Sequence, residues 1–177
     1  MPSRFLAPLL PLASLLLVFC LPWLPQDEQR PIHFPWLDQQ MPHHDNWWVF
    51  FGYVGCPDIC PDTLTKLRNA YQRLPAGSRP GVLLIDVTTK VDPDLLTRYA
   101  QGFHPDFQAY APTLGELKRL GNLFGVKIRP RTDRFSPDHS GAVYQLRHAG
   151  PDWMLVRTFQ DRRLGPNDLV AGMTSGQ

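Results

Sequence analysis

One short stretch governs what this chain can fold into. From Trp47 to Tyr53 the residues are apolar and aromatic, and the run breaks into Gly55-Cys56-Pro57-Asp58-Ile59-Cys60-Pro61. A continuous apolar run bounded by Gly and Pro is the pattern of a fully buried strand, and Pro61 is well placed to open a helix. Two thiols with three residues between them therefore sit at a strand-to-helix turn. A helix start offers unpaired N–H groups and the positive end of a dipole, which lowers a nearby thiol's pKa and favours the thiolate, both nucleophile and metal ligand. Two such sulfurs can share one soft metal or close a disulfide. Cysteines that merely fill a core seldom come paired beside Pro and Gly, so the pair reads as reactive.

A third ligand has to come from elsewhere, and the chain offers six histidines. His33, His43 and His44 lie in a Pro-rich polar stretch, and His148 sits in a hairpin turn beside Gly150. His104 follows a helix in Phe103-His104-Pro105, where a C-terminal cation or loop residue is the ordinary reading. His139 lies in Pro137-Asp138-His139-Ser140-Gly141, just before the alternating strand Ala142 to Leu146. Taken alone it is an ordinary loop histidine. Joined to the thiols it completes a soft, low-coordinate set suited to Cu(I), or to Cu(II) or Zn(II) with a fourth ligand.

Phe50-Phe51-Gly52-Tyr53, then Cys56-Pro57-Asp58-Ile59-Cys60-Pro61 with Thr63 and Leu64, then Phe103-His104-Pro105 and Asp138-His139-Ser140, together resemble the Sco/SenC family of thioredoxin-fold copper chaperones. The likeness runs from about Trp47 to Phe159. It implies membrane-tethered delivery of copper, or of reducing equivalents, to the binuclear copper centre of cytochrome c oxidase during assembly. By the family's motif, Cys56, Cys60 and His139 would bind one copper ion, Cu(I) or Cu(II). The implied partners are a copper-receiving oxidase subunit and a thiol reductant. The chain departs from the family where Val-Asp-Pro is usual and Ile85-Asp86-Val87 stands instead. An acid shifted by one position along a strand faces the other way unless a bulge restores it, so a role for Asp86 beside the metal is not carried over. A second departure is the stretch from Gln26 to Asp45, which lacks the family's Gly-rich strand and hairpin and suggests a domain that begins late.

The front of the chain bears on location. No charge occurs from Phe5 to Pro25, a Leu-rich stretch long enough for a bilayer span of about 20 residues. It reads as a signal-anchor, since no small-x-small cleavage site follows the apolar core and Phe19 stands before Cys20 where a lipobox needs a small residue. With Arg4 the only charge ahead of it, the bulk of the chain is expected on the periplasmic or extracytoplasmic side of the cytoplasmic membrane, as a single-pass protein. Just two cysteines follow the anchor, which suits a redox or metal pair better than a disulfide scaffold.

The expected organisation is an anchor at 1–25, a linker at 26–45 and one copper-binding domain at 46–177. Leu64, Leu67, Ala70, Tyr71 and Leu74 fall at helical spacing. Val82 to Ile85 reads as a buried strand, Pro93 opens a second helix with Leu95, Leu96, Tyr99 and Ala100, and Leu114 to Phe124 is a third. Strands at Val143 to Leu146 and Trp153 to Phe159 are joined by a hairpin through Gly150-Pro151-Asp152, and a last helix begins near Pro166. That order predicts an α/β, thioredoxin-like fold with a C-terminal β-hairpin, the hairpin lying alongside the first strand so that His139 could reach the cysteines.

A net charge of +2 argues against a nucleic-acid partner. Nothing matches a phosphate loop, a Ser-His-Asp arrangement or a flavin site. A peroxidase on a related fold would want a Thr three residues before the attacking Cys, where Tyr53 stands. The main alternative to metal carriage is an extracytoplasmic thiol–disulfide oxidoreductase acting on a copper-receiving partner, with Cys56 and Cys60 as the redox pair.

Overall fold

The computed structural model describes residues 29–33, 39, 41, 44–127, 141–150, 152–160 and 164–174. The strands are β1 (Arg30–Ile32), β2 (Asn46–Gly52), β3 (Gly81–Asp86), β4 (Gln108–Tyr110), β5 (Val143–Ala149) and β6 (Asp152–Phe159). The α-helices are α1 (Ile59–Arg73), α2 (Pro93–Gln101), α3 (Leu114–Phe124) and α4 (Pro166–Thr174), with a short 3-10 turn at Ala76–Ser78. One mixed sheet runs in the order β1-β6-β5-β2-β3-β4. β2, β3 and β4 are parallel, and β5 and β6 form an antiparallel hairpin beside β2. This is the α/β, thioredoxin-like arrangement with a C-terminal hairpin. The anchor expected at 1–25 lies outside the described residues, among which no helix is long and apolar enough to cross a membrane.

β2 is the centre of the domain. Trp47 through Phe51 are all inaccessible to solvent, as a strand covered on both faces requires. Register divides the two layers. Trp48, Phe50 and Gly52 share a face with Val82, Leu84 and Asp86 of β3 and with Val143 and Gln145 of β5. Helix α1 packs there, and α4 joins it where Gln145 Nε2–H donates to the Gly172 carbonyl at 3.2 Å. α2 belongs to the same face, because β2-α1-β3 and β3-α2-β4 are successive right-handed crossovers in one direction. The other face takes α3, whose Phe124 ring meets Phe51 at 5.3 Å and Tyr144 at 5.1 Å.

Sequence boundaries hold for most elements and move at three places. Helix α1 starts at Ile59, two residues ahead of Pro61, because Asp58 caps it by accepting from the Ile59 N–H at 2.8 Å. Cys60 is therefore inside the first helical turn, and Pro61 sits where an N–H would lack a partner anyway. Part of the stretch expected as a linker is sheet: β1 pairs with β6 through Arg30, Pro31 and Ile32, and Ile32 and Met41 are buried. The third place is β4, a short strand between α2 and α3 that extends the sheet past β3.

Candidate functional site

The strand β2 ends against the first turn of α1. Gly55 takes φ 90°, a conformation open to glycine, and the Cys56 N–H reaches back to the Tyr53 carbonyl at 3.5 Å. The turn brings Cys56 under the helix start, where the Cys60 N–H donates to Cys56 Sγ at 3.4 Å. One of the orphan N–H groups of α1 is thereby spent on sulfur. Neither thiol is in a disulfide. Cys56 is 8% exposed and Cys60 is 0% exposed.

The expectation that the helix start would favour the thiolate fails for Cys60. Burial pushes its thiol far above the usual range, and the hydrogen bond to the Cys56 side chain adds to the shift. Desolvation wins over the backbone hydrogen bond at Tyr53, which pulls the other way, because the sulfur is sealed from solvent. Gly52 is the floor beneath it. A Cβ there would lie 3.0 Å from Cys60 Sγ, 2.8 Å from the Phe50 ring and 3.2 Å from Leu84, so the thiol rests where a side chain would be.

Asp86 stands opposite Gly52 in unbroken register, so no bulge intervenes, and it lies on the same face as Leu84 and Cys60. It is fully buried. Its Oδ2 accepts from the Thr88 N–H at 3.0 Å, the Thr88 hydroxyl at 2.7 Å and the Thr89 N–H at 2.7 Å, which holds Thr89 at φ 58°. Oδ1 has no partner among the described residues. Burial raises the carboxyl pKa against the pull of those three bonds. Asp86 thus anchors the turn next to the thiols, and Val87 N–H to the Gly52 carbonyl at 3.0 Å ties the two turns together.

The four histidines among the described residues have structural partners. His33 pairs with Asp152 at 2.8 Å, His44 meets Trp47 edge-on and His148 meets Trp153. His104 packs between Tyr71 and Phe107 at the opposite end of α1 and α2 from the thiols, its Nδ1 accepting from the Asp106 N–H at 3.2 Å. His43 and His139 lie outside the described residues. Among the described residues no group of three or more His, Cys, Asp or Glu is placed to hold a metal; the described part of the site is the two sulfurs. Residues whose part in shaping the site the sequence did not bring forward are Gly52 and Asp58. Asp58 carried a signal, an Asp directly ahead of the helix.

The model of the SCO1/SenC family matches residues 37–174. The chain belongs to the SCO1/SenC family. Among family relatives, a protein of Stutzerimonas stutzeri named as a candidate copper-binding protein is 33% identical over 113 residues, covering 60% of this chain. The chain spans about half, 54%, of that relative's length. The structure of yeast Sco1 with copper bound superposes with a TM-score of 0.63 at 22% identity, over 79% of this chain and 81% of that one. BsSco, described as having a disulfide switch and as a member of the Sco family of cytochrome c oxidase assembly proteins, gives 0.57 at 14% identity, over 84% and 91%. Both structural likenesses bear on the fold.

Proposed function

We propose that this protein is a membrane-tethered copper chaperone that carries one copper ion on Cys56, Cys60 and His139 and delivers it to the binuclear copper centre of cytochrome c oxidase. The observation that carries the reading is the pair of sulfurs brought together at the start of α1, two soft donors where a copper ion needs them. Topology supports the third donor. β5 runs antiparallel to β2 with Val143 opposite Phe50, so the chain entering β5 arrives at the end of β2 from which the Cys turn leaves. His139 is four residues ahead of Val143. Family membership, the copper-bound yeast relative and the oxidase-assembly description of BsSco support the cargo and its recipient.

The chaperone would hold copper by its two thiolates and a neutral imidazole and release it by ligand exchange with a partner's thiols. Residues Phe5 to Pro25 would hold it at the cytoplasmic membrane with the domain on the periplasmic or extracytoplasmic side. The deciding experiment loads wild type, Cys56→Ala, Cys60→Ala and His139→Ala anaerobically with copper and measures stoichiometry and absorption. Each substitution should weaken binding at least tenfold, about 1.4 kcal/mol. Wild-type affinity in His139→Ala for both oxidation states sinks the three-ligand site.

A second reading is favoured by the hydrogen bond between the two thiols, which leaves them poised to close a disulfide. In that reading the pair reduces the cysteines of the copper-receiving partner. Oxidase assembly that survives His139→Ala but fails with either Cys→Ala would favour it.

A further inference from the structure

Two large apolar side chains stand out of the surface among the described residues, Leu95 at 43% exposure and Leu114 at 49%. A single exposed leucine is ordinary; the placement of these two is not. Leu95 lies in the first turn of α2 and Leu114 opens α3, so each follows the C-terminal end of a strand, β3 or β4, that runs parallel to β2. Both therefore sit at the end of the sheet where β2 delivers the thiol turn. Neighbouring strands are about 4.8 Å apart, which puts β4 about 10 Å from β2. The partly buried Val54 and Ile59 flank the thiol turn in the chain, and Val91 precedes α2. Charge at this end is one-sided: in the described stretches 54–59, 87–95 and 110–116, Asp58, Asp92, Asp94 and Glu116 stand against Lys90 alone.

We propose that this end of the sheet, with Leu95 and Leu114, is the docking surface for the copper-receiving partner, a protein whose exchanging cysteine stands in an apolar loop rimmed by Lys or Arg. The proposal rests on the reading above that Cys56 trades bonds with a sulfur of that partner. Cys56 is 8% exposed, so an incoming protein sulfur reaches bonding distance only when the surface around it closes over the rim. A standard interface covers about 800 Å² on each side, a footprint wide enough to take in both leucines together with the thiol turn. The leucines supply apolar area that leaves water on contact, and the carboxylates steer a cationic rim onto it and fix its register. A small disulfide reagent needs none of this, because it meets Cys56 alone.

The test reads the rate at which Cys56 captures a partner's sulfur. The probe is the soluble domain of the cognate oxidase's copper-receiving subunit, with one exchanging cysteine kept and activated as its mixed disulfide with thionitrobenzoate. The Cys56 thiolate attacks the partner's sulfur, the bond to thionitrobenzoate breaks, the interprotein disulfide forms, and thionitrobenzoate leaves as its coloured thiolate. Every chain compared carries Cys60→Ala, so that nothing resolves the product, and each rate is divided by that of the same chain with dithiobis(nitrobenzoate) alone. Leu95→Asp and Leu114→Asp should each lower this ratio about tenfold, the loss expected at a central interface residue. Gln101→Asp, at the far end of α2, should leave it unchanged. Asp94→Asn should lower it about twofold at low salt and not at high salt. An unchanged ratio in folded Leu95→Asp and Leu114→Asp overturns the proposal, and so does failure of the parent chain to capture the activated domain. A level or rising ratio for Asp94→Asn at low salt overturns the cationic partner that the proposal names. If either Asp variant does not fold, Leu95→Ser or Leu114→Ser replaces it, with a fall of about threefold. A chain with both cysteines that binds no copper defeats the copper reading alone, because the capture rate needs only Cys56.

Discussion

The two ends of α1 are built on opposite terms. At its C-terminal end the polar groups around Tyr71 are committed to one another. The Tyr71 hydroxyl donates to Asp106 Oδ2 at 2.7 Å, the Arg79 guanidinium lies 5.0 Å over the Tyr71 ring while its Nε–H donates to the Leu74 carbonyl, and His104 accepts from Asp106. Burial, with the Asp106 bond, pushes the Tyr71 pKa up to about 12. At the N-terminal end the groups are held in reserve. Thr63 Oγ1 and Asp86 Oδ1 are buried without a hydrogen-bond partner among the described residues, and the thiols lean on each other and on the backbone of their own turn. Orphaned buried polar groups are costly and rare. Trp47 Nε1 and Trp48 Nε1, at the start of β2, are orphaned as well, so what separates the two ends is the linked network that spaces the helices at one and the turn that carries the thiols at the other.

Three substitutions strain that contrast. Gly52→Val should act most strongly, because it forces a side chain into the space of Cys60 Sγ and the Phe50 ring. Overpacking of this kind costs about 1–3 kcal/mol, and urea denaturation should show it together with altered disulfide closure. A loss of stability with unchanged closure would mean that the thiol does not depend on its floor. Tyr71→Phe should cost about 1 kcal/mol, the usual worth of a buried hydrogen bond, and leave thiol kinetics as in wild type. Altered kinetics there would show that the two ends are coupled and break the division proposed. Asp86→Asn is the smallest and shows in pH dependence. The folded carboxyl has a raised pKa, so the unfolded chain releases its proton first as pH rises, and this residue costs stability from the unfolded pKa upward through the folded one. Below both values it costs nothing. Denaturation midpoints measured from pH 3 upward should therefore drift in favour of Asp86→Asn relative to wild type, and parallel curves would place the charge elsewhere.

What the sequence disclosed and what it withheld follow from range. The thiol turn, α3 between its Thr113 and Gly125 caps and the hairpin around Gly150 are specified by neighbours in the chain, and all were readable. β1 was not, because three residues with a Pro at their centre become strand only by pairing with Trp153 to Leu155 at the other end of the domain. β4 was hidden for the same reason: Gln108–Tyr110 are half-buried and owe their extension to β3. At the site, the residue types and spacing gave the sulfurs. They could not give Gly52 as the surface on which Cys60 rests, since that depends on how α1 lies on the sheet.

The unequal depth of the two sulfurs fixes an itinerary. With Cys56 at the rim and Cys60 sealed behind it, anything entering from solvent meets Cys56 first, and anything leaving toward another protein lets go of Cys60 last. Exchange must then run hand over hand, with a visiting sulfur replacing the outer bond before the inner one breaks. If the pair carries copper as proposed, a cargo handled in that order would not pass through water as a free ion.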